Sequence, residues 1–489
     1  MSLDECGISS NVNEAQKKIC EIRIDNFKAF GHEQRIPIKP ISLIYGSNSS
    51  GKSSILQALL ILKQSEYPFD YLVYDGKHVN LASFKNVIHK HDTNLLLEIS
   101  ASSEKNFYMR RWHSLNKKSK KRSVILDGYE LLIDENGNLD FTSSLVKKYY
   151  DIICNKNSKI IGNAKYFLNE INNLEFKKSG WDNAYINSCN NIENILYKFK
   201  HAGVLDLNTL IILTALLSKP KFSVLADPGE FKNVKSLSYN FNNQLDNQIN
   251  IAKSLDENVH KLINELEYIG PLRQFPERYY LKDVNFTDSV GVKGEYIADM
   301  LSADKNKLDS LNEWFDKLGL DYHADIKKLA EDDVSLYFLK LMDKRNGVFV
   351  SPPDVGFGVS QIMPIIVQAI SSINKLILIE QPEIHLHPKL QAEMADLFIS
   401  SAKSSNNNTF IIETHSEHLL LRIMRRIRET TTGKLTDQSL ALTPEDVSVL
   451  YVESVDGESI VREMPLNEYG ELVKPWPGGF FEEGLREVF

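Results

Sequence analysis

The segment IYGSNSSGKSSIL, at residues 44–56, constrains the fold of this chain more than any other. Within it, the stretch from Gly46 to Ser53 fits the pattern G-x-x-x-x-G-K-[ST]. The apolar run PISLIYG before it predicts a short buried strand, and SSILQALLILKQ after it predicts an amphipathic helix over 53–64. A strand, a glycine-containing loop and a helix in this order form the context in which the pattern binds phosphate.

Several positions of this loop have a physical task. Gly46 and Gly51 permit the tight turns that bring successive N–H groups to phosphate oxygens at a helix N-terminus. The Lys52 ammonium can neutralise the β- and γ-phosphates, and the Ser53 hydroxyl can ligate Mg²⁺. We therefore expect a nucleoside triphosphate with Mg²⁺ here. The residues expected to bind it are Gly46, Asn48, Ser49, Gly51, Lys52, Ser53 and Ser54.

A second apolar run, KLILI at 375–379, ends at the acidic residue Glu380. A buried strand that ends in a carboxylate brings that charge beside the phosphate loop, where it can hold a water on Mg²⁺. Ser53 and Glu380 are therefore the predicted metal-binding residues. We do not expect a metal site at His385 and His387, because no cluster of acidic or cysteine residues surrounds them.

The upstream segment IRIDNFKAFGHEQRIPIKP, taken with the phosphate loop, resembles the opening of the ABC-type ATPase heads of the SMC, RecF and OLD (overcoming lysogenisation defect) group. The resemblance implies an α/β fold with a mixed β-sheet P-loop core, an antiparallel β subdomain and a helical insertion. It also implies that ATP is the nucleotide and that Lys28 and Phe30 lie near its base and ribose. An ordinary hairpin turn at 26–30 is an equal alternative.

The same resemblance draws attention to position 381. In that group the strand usually ends in Asp-Glu-Pro-Glu, whereas this chain has Glu380-Gln381-Pro382-Glu383. Position 381 would normally supply the general base for the attacking water, and a glutamine amide cannot accept that proton. Three alternatives follow: Gln381 only orients water, Glu383 replaces the base, or hydrolysis is slow.

Two later segments also resemble parts of this group. The apolar run at 409–412 leads into Glu-Thr-His415-Ser and resembles the switch-histidine strand, whose imidazole reaches the γ-phosphate or the attacking water. The segment YIGPLRQFPERYY resembles a stretch that follows the insertion in OLD-like and RecF-like ATPases. Its Arg273 either approaches the nucleotide or has a structural role.

The segment PPDVGFGVSQIM, at 352–363, resembles a degenerate ABC signature motif, in which Gly356 and Gly358 precede a helix. In the family this motif contacts the γ-phosphate that the other subunit binds. The resemblance therefore implies that ATP lies between two copies of the chain, in a homodimer or a higher homo-oligomer. A glycine turn that caps a core helix is the alternative. The residues expected to contact ATP here are Gly358, Ser360 and Gln361.

Composition limits the class of protein. The chain has 489 residues, 42% of them hydrophobic, which is enough for two or three lobes with their own cores. A formal net charge of −8 argues against a uniformly basic nucleic-acid surface. Four scattered cysteines without a C-x-x-C pair argue against a disulfide framework or a zinc site. Without a secretion signal or a long apolar segment, we expect a cytoplasmic protein with no membrane partner.

Changes in pattern along the chain predict four regions. Residues 20–135 form an N-terminal ATPase lobe with the P-loop and an antiparallel sheet, and residues 136–265 form a helical insertion without coiled-coil heptads. Residues 266–440 contain the remaining ATPase core, and residues 441–489 form a hairpin and a tail.

The chain also resembles stand-alone ATPases with an uncharacterised C-terminal domain that are found in anti-phage defence systems. This implies an ATPase that controls a separately encoded effector or nuclease. One alternative is a RecF-like repair ATPase that grips DNA. The basic run at 110–122 could hold a phosphate backbone, although a solvated hairpin tip is the favoured interpretation of that run. Another alternative is a scaffold in which ATP joins the subunits and Gln381 leaves hydrolysis vestigial.

Overall fold

A computed structural model of the protein describes residues 18–65, 72–103, 106–112, 119–126, 129–133, 139–140, 261–281, 288–331 and 334–477. The chain divides into two compact units. The first contains the described residues up to 103 and from 261 onwards, and the second contains most of those between 106 and 140.

The strands, in chain order, are β1 (Glu21–Asp25), β2 (Gln34–Pro37), β3 (Ile41–Gly46), β4 (Leu97–Ser103), β5 (Asn106–Trp112), β6 (Ser119–Leu126), β7 (Tyr129–Ile133), β8 (Leu139–Asp140), β9 (Glu267–Ile269), β10 (Tyr280–Leu281), β11 (Tyr322–Glu331), β12 (Val334–Asp343), β13 (Val348–Val350), β14 (Leu376–Glu380), β15 (Thr409–Glu413), β16 (Val447–Val455) and β17 (Glu458–Glu463). The α-helices are α1 (Lys52–Lys63), α2 (Phe84–Val87), α3 (Ile297–Ala303), α4 (Lys305–Lys317), α5 (Phe357–Ser371), α6 (Pro388–Lys403) and α7 (Glu417–Thr431). Short 3₁₀ turns lie at His89–His91, Pro352–Asp354, Gln438–Leu440 and Pro444–Asp446.

A six-stranded sheet in the order β17-β16-β3-β15-β14-β9 forms the centre of the first unit. Its strands run parallel except β17, which returns antiparallel to β16. Every residue of β3, β14 and β15 is buried, as expected for parallel strands covered on both faces. The carboxyl ends of these strands therefore meet at one edge of the sheet, where α/β folds bind their ligands.

Helices pack on the central sheet and fill one hydrophobic core. Helix α6 connects β14 to the parallel neighbour β15, the kind of crossover that parallel strands need. Phe398 of α6 packs against Phe410 of β15, with ring centroids 5.1 Å apart. Asp396 accepts hydrogen bonds from Arg422 and Arg426 and so ties α6 to α7. These contacts fix the helices against the central sheet, at whose carboxyl edge the loops lie.

Two antiparallel arrangements accompany this sheet in the first unit. Strand β1 pairs with β2 and β4, and its buried residues alternate with partly exposed ones. Strand β12 pairs with β10, β11 and β13. In the second unit, β6, β7 and β8 form an antiparallel set.

The predicted α/β fold, with a mixed P-loop sheet and antiparallel strands, is confirmed. Strands β16 and β17 pair in antiparallel fashion and form a hairpin. The helical insertion predicted at 136–265 and the centre of the basic run, 113–118, lie outside the described residues, apart from 139–140 and 261–265. No helix of the described part has both the length and the apolar character needed to cross a membrane.

Candidate functional site

The phosphate loop joins β3 to α1, as the sequence predicts. Gly46 has a φ of 149° and Gly51 a φ of 103°, both in the region that favours glycine. Ser49 also has a positive φ of 62°, and the tip of the loop, which includes Asn48, is exposed. Helix α1 begins at Lys52 after an N-cap at Gly51, and no side chain of the described residues caps its N-terminus. This leaves the positive end of the helix dipole available to an anion.

The Lys52 ammonium lies over the loop that precedes it. It donates hydrogen bonds to the backbone oxygens of Gly46, at 3.1 Å, and of Ser47, at 2.8 Å. Burial lowers the pKa of Lys52, and the negative charges of Glu413 and Glu383 oppose this shift. Ser54, one residue further into the helix than Ser53, is buried, and its amide donates to Gly51. The loop backbone therefore holds the Lys52 ammonium next to the loop, where it could also bind a phosphate.

Ser53 contacts the carboxylate of Glu413, which was not among the predicted site residues. The Ser53 hydroxyl donates to Oε1 of Glu413, at 3.1 Å, and Oε2 of Glu413 is buried without a partner among the described residues. Burial raises the pKa of Glu413. The available signal was the apolar run TFII followed by glutamate, which repeats the pattern of LILI followed by Glu380.

Glu380 lies on the neighbouring strand at the same level. The β14–β15 register pairs Glu380 with Glu413, and the Tyr268 hydroxyl donates to Oε1 of Glu380 at 2.8 Å. Burial, followed by repulsion from Glu413, raises the pKa of Glu380 to about 7. Tyr268 was also missed, because it lies more than a hundred residues away in the sequence.

The oxygens of Ser53, Glu380 and Glu413 are suited to a magnesium ion that is also bound by phosphate and water. They are too few for a metal site built from protein ligands alone. Within the described ranges, no group of three or more His, Cys, Asp or Glu residues could hold a metal. Mg²⁺ is usually bound by one or two carboxylates, substrate phosphates and water. Ser53, Glu380 and the unpartnered oxygen of Glu413 supply such a partial set. Burial raises the pKa of both carboxyl groups, although nearby positive charges, Arg273 and Lys28 at Glu380 and Lys52 at Glu413, act against the shift.

Arg273 donates hydrogen bonds to the backbone at the end of β14. Its Nη2 donates to the backbone oxygen of Glu380 at 2.8 Å, and its Nη1 donates to that of Gln381 at 3.2 Å. Burial lowers the pKa of Arg273 to about 10. Gln381 has a positive φ of 46°, and its amide donates to the backbone oxygen of Glu413 at 2.7 Å. Of the two alternatives for Arg273, these contacts favour the structural one.

Glu383 accepts hydrogen bonds from the loop that carries His415, the predicted switch histidine. Its Oε1 accepts the His415 amide at 2.6 Å, and its Oε2 accepts the Thr414 hydroxyl at 2.7 Å. Burial, together with the nearby Lys52 charge, lowers the pKa of His415, which favours a neutral imidazole. Glu383 therefore fixes the backbone that presents His415.

Lys28 lies in the turn that the resemblance predicts to lie near the nucleotide. Its backbone has a positive φ of 51°, and its ammonium donates to the side-chain oxygen of Gln57 in α1. Burial lowers the pKa of Lys28, and the charge of Glu380 opposes this shift. The ring of Phe30 is fully buried and reaches to within 3.5 Å of where a side chain at Gly51 would begin. Phe30 thus borders the phosphate loop, and Lys28 contacts the helix that follows it.

The expected signature helix differs from its prediction in one respect. Helix α5 begins at Phe357 after an N-cap at Gly356, so Gly358 lies inside the first turn and does not precede the helix. The helix starts early because the Phe357 ring packs on Phe275 and on His385. A Cβ at Gly358 would lie 2.9 Å from the backbone oxygen of His385.

The structure thus brings together the phosphate loop, Lys28, Glu380, Glu383 and His415. The predicted signature residues Ser360 and Gln361 pack inside the subunit and are not part of this group. Ser360 is buried, with its hydroxyl 3.4 Å from the backbone oxygen of Pro352, and Gln361 is buried as well.

Comparison with protein families gives two matches. Residues 18–420 match the family described as AAA ATPase domain. Residues 442–489 match a second family, described as protein of unknown function (DUF3696). Among curated proteins, no match to the chain is found.

Solved structures similar to this chain include SMC head domains. One is an Smc head with an extended coiled coil, bound to the C-terminal domain of ScpA and derived from Pyrococcus furiosus, with 14% identity, a TM-score of 0.40, and coverage of 96% of this chain and 98% of that one. Another is an Smc head bound to the C-terminal winged-helix domain of ScpA, with 13% identity, a TM-score of 0.41, and coverage of 92% and 98%. A third is the SMC head domain from Thermotoga maritima, with 9% identity, a TM-score of 0.34, and coverage of 92% and 99%.

Proposed function

Because the chain belongs to the AAA ATPase domain family, we propose that it is an ABC-type ATPase that binds ATP with Mg²⁺ and hydrolyses it slowly. We further propose that it dimerises around ATP and regulates a separately encoded effector or nuclease in anti-phage defence.

One observation carries the ATPase proposal: the carboxyl ends of β3, β14 and β15 assemble the parts of a nucleotide site at one edge of the sheet. Lys52 and Ser53 come from the loop after β3, Glu380 ends β14, and Glu413 ends β15. A cationic loop at a helix N-terminus beside two buried carboxylates suits a phosphate chain that carries its own divalent cation.

Each residue then has a task in hydrolysis. The loop amides and Lys52 would bind the phosphates. Ser53 and Glu380 would hold Mg²⁺, which would supply charge neutralisation at the phosphoryl group. Gln381 orients the attacking water but cannot take its proton. Neutral His415 hydrogen-bonds to the γ-phosphate or to that water.

The occupied state of Glu383 supports slow hydrolysis. Both of its oxygens already accept hydrogen bonds from Thr414 and His415. It is therefore poorly placed to replace the base that Gln381 lacks, since a general base must be within reach of the water. A second candidate function, an ATP-joined scaffold with vestigial hydrolysis, rests on the same observation.

The proposals on assembly and effector rest on the resemblance to stand-alone ATPases. In this proposal the N-terminal turn of α5 faces the γ-phosphate bound by the second copy, and Gly358 would contact it. The burial of Ser360 and Gln361 within the subunit does not support the direct contacts expected of these two residues. A match to a family of unknown function at 442–489 accords with that subset of ATPases but names no partner.

The experiment compares the wild type with Lys52→Ala and with Lys85→Ala, an exposed lysine in α2. We expect wild type and Lys85→Ala to bind a fluorescent ATP analogue, to release phosphate slowly and to form dimers with ATP in light scattering. Lys52→Ala should lose all three properties. Equal binding by Lys52→Ala, or no binding by the wild type, would contradict the ATPase proposal.

Two results separate the remaining proposals. ATP-dependent dimers that release no phosphate above the Lys52→Ala background would support the scaffold. For the effector, the protein encoded beside this chain is co-expressed, and we expect it to co-purify with the wild type and to lose its response to ATP with Lys52→Ala.

A further inference from the structure

We infer that the hairpin of β16 and β17, residues 447–463, is a working part of the nucleotide site, and that Ser459 is a positioning residue for the phosphate loop. The inference gives a role to the first part of the region whose family has no known function. It rests on the proposed binding of ATP.

Strand β16 forms one wall of the loop. It pairs in parallel with β3, and the register brings Val452 opposite Gly46, the first glycine of the loop. A Cβ at Gly46 would lie only 2.2 Å from the backbone oxygen of Val452. Glycine is thus required at position 46 by the contact with the hairpin as well as by its φ of 149°.

Strand β17 holds the other end of the loop through Ser459. The Ser459 hydroxyl donates to the backbone oxygen of Ser50 at 2.6 Å, and this contact is buried. A Cβ at Gly51 would lie 2.8 Å from the same hydroxyl oxygen. Ser459 therefore contacts the loop immediately before Lys52, which is the residue whose ammonium must meet the phosphates.

The same strand reaches the Lys28 turn. The Ser459 amide donates to the backbone oxygen of Ala29 at 2.8 Å. Next to it, Glu458 accepts a hydrogen bond from Lys90 at 2.7 Å and lies 3.4 Å from Nε2 of His89. Nδ1 of His89 in turn hydrogen-bonds to the backbone oxygen of Lys28 at 2.8 Å. One short strand thus connects the phosphate loop with the turn that contains Lys28.

The physical consequence concerns the cost of ordering the loop. A glycine-rich loop loses much conformational entropy when it adopts one shape, and a buried hydrogen bond to its backbone lowers the cost that is left for the ligand. Without the Ser459 hydroxyl, the oxygen of Ser50 stays buried without this donor. Because a typical buried hydrogen bond contributes about 0.5–1.5 kcal/mol, we expect ATP affinity to fall roughly three- to tenfold.

The chain offers a matched control in the same hairpin. Ser448 of β16 is as buried as Ser459, but its hydroxyl has no hydrogen-bond partner within the described part of the chain. Ser448→Ala therefore makes the same chemical change at the same depth without touching the loop. If the hairpin has a purely structural role, the two variants should have similar ATP affinities. If Ser459 positions the loop, Ser459→Ala should bind ATP more weakly than Ser448→Ala.

The experiment measures the ATP dissociation constant and the thermal midpoint of wild type, Ser448→Ala, Ser459→Ala and Ser459→Thr. We expect Ser459→Ala to bind ATP three- to tenfold more weakly at a temperature where all variants are folded, and Ser448→Ala to bind like the wild type. Ser459→Thr, which keeps the hydroxyl, should recover part of the affinity. Equal affinities of Ser459→Ala and Ser448→Ala would overturn the inference.

A second measurement needs no variant. Coupling between two sites is reciprocal, so ATP that orders the loop must also stabilise the hairpin. We expect ATP to slow hydrogen exchange both in the loop and in residues 447–463, and to leave β11 and β12 unchanged. Protection of the loop without protection of the hairpin would contradict the inference, whereas no protection anywhere would contradict ATP binding itself.

Discussion

Glu380 and Glu413 end two adjacent parallel strands and face each other directly across the β14–β15 register. Both are buried, and burial raises the pKa of each carboxyl group; repulsion from Glu413 adds to the shift of Glu380. Two buried carboxylates side by side are costly unless a cation neutralises them. A divalent cation bound between the two carboxylates would therefore relieve their repulsion and stabilise their ionised forms.

This pair makes the stability of the protein depend on pH. The pKa of Glu380 is about 7 in the folded state against an ordinary value of 4.5, so folding takes up a proton between these limits. Because the folded state binds more protons, the free energy of unfolding should fall as the pH rises from about 4.5 to 7, by roughly 2–3 kcal/mol. Urea unfolding at pH 5 and pH 8, without Mg²⁺ or nucleotide, measures this loss.

Two variants test the assignment to Glu380. Glu380→Gln cannot ionise, so its free energy of unfolding should change less between pH 5 and pH 8. The exposed Glu468→Gln should keep the pH dependence of the wild type. If Glu380→Gln shows the same fall as the wild type, another group carries the effect.

The Tyr268 hydroxyl should tune the acidity of Glu380. Its hydrogen bond to Oε1 favours the ionised carboxylate and lowers the pKa that burial raises. In Tyr268→Phe this pKa should therefore rise further. If ionised Glu380 binds the metal, the acid limb of the phosphate-release profile should move to higher pH by about one unit.

The buried Tyr337 in β12 provides the control for this substitution. Tyr337→Phe removes the same atom in a different sheet and should leave the pH profile where it is. A Tyr268→Phe profile that only drops in height, without moving along the pH axis, would contradict the proposed hydrogen bond to Glu380 as the cause.

The sequence was informative about the strands that carry the site. An apolar run that leads into the glycine loop predicted β3, and apolar runs followed by glutamate predicted β14 and β15. The carboxyl ends of parallel strands must meet at one edge. The same rule would have identified Glu413, which ends its apolar run as Glu380 does. Local pattern was therefore sufficient wherever one strand carries one functional residue.

It was not sufficient for contacts between distant segments. The bonds of Tyr268 to Glu380 and of Ser459 to Ser50 join residues more than a hundred positions apart, and no periodicity encodes them. The start of α5 was placed too late for a similar reason, because packing of Phe357 against Phe275 and His385 extends the helix past Gly358. Tertiary contacts here override the local preference of glycine.

Gln381→Glu should increase the rate of phosphate release. A carboxylate at this position can accept the proton of the attacking water, which the amide cannot. Since general base catalysis contributes roughly 10²–10⁴-fold in enzymes, an increase of at least about tenfold is expected. Single-turnover phosphate release, with the protein in excess over ATP, measures it without interference from nucleotide exchange.

Gln381→Ala is the control for this gain, because it removes the amide without supplying a base. It should release phosphate no faster than the wild type. If Gln381→Glu also leaves the rate unchanged, the identity of residue 381 does not limit hydrolysis, and the reason for slow turnover must lie elsewhere.

Arg273→Ala should destabilise the protein strongly. The guanidinium is buried and donates to the backbone oxygens of Glu380 and Gln381, so its loss leaves two acceptors without these donors. The oxygen of Gln381 keeps the Ile384 N–H as a second donor, at 3.3 Å, so the penalty is expected for one acceptor. At about 1–3 kcal/mol for an unsatisfied group, the free energy of unfolding should fall by roughly 1–3 kcal/mol, as measured by urea unfolding. Arg278→Ala is the matched control, because Arg278 is exposed and pairs with Asp354 at the surface, and its urea midpoint should not change. Similar urea midpoints for the two variants would show that Arg273 does not hold the end of β14 in place.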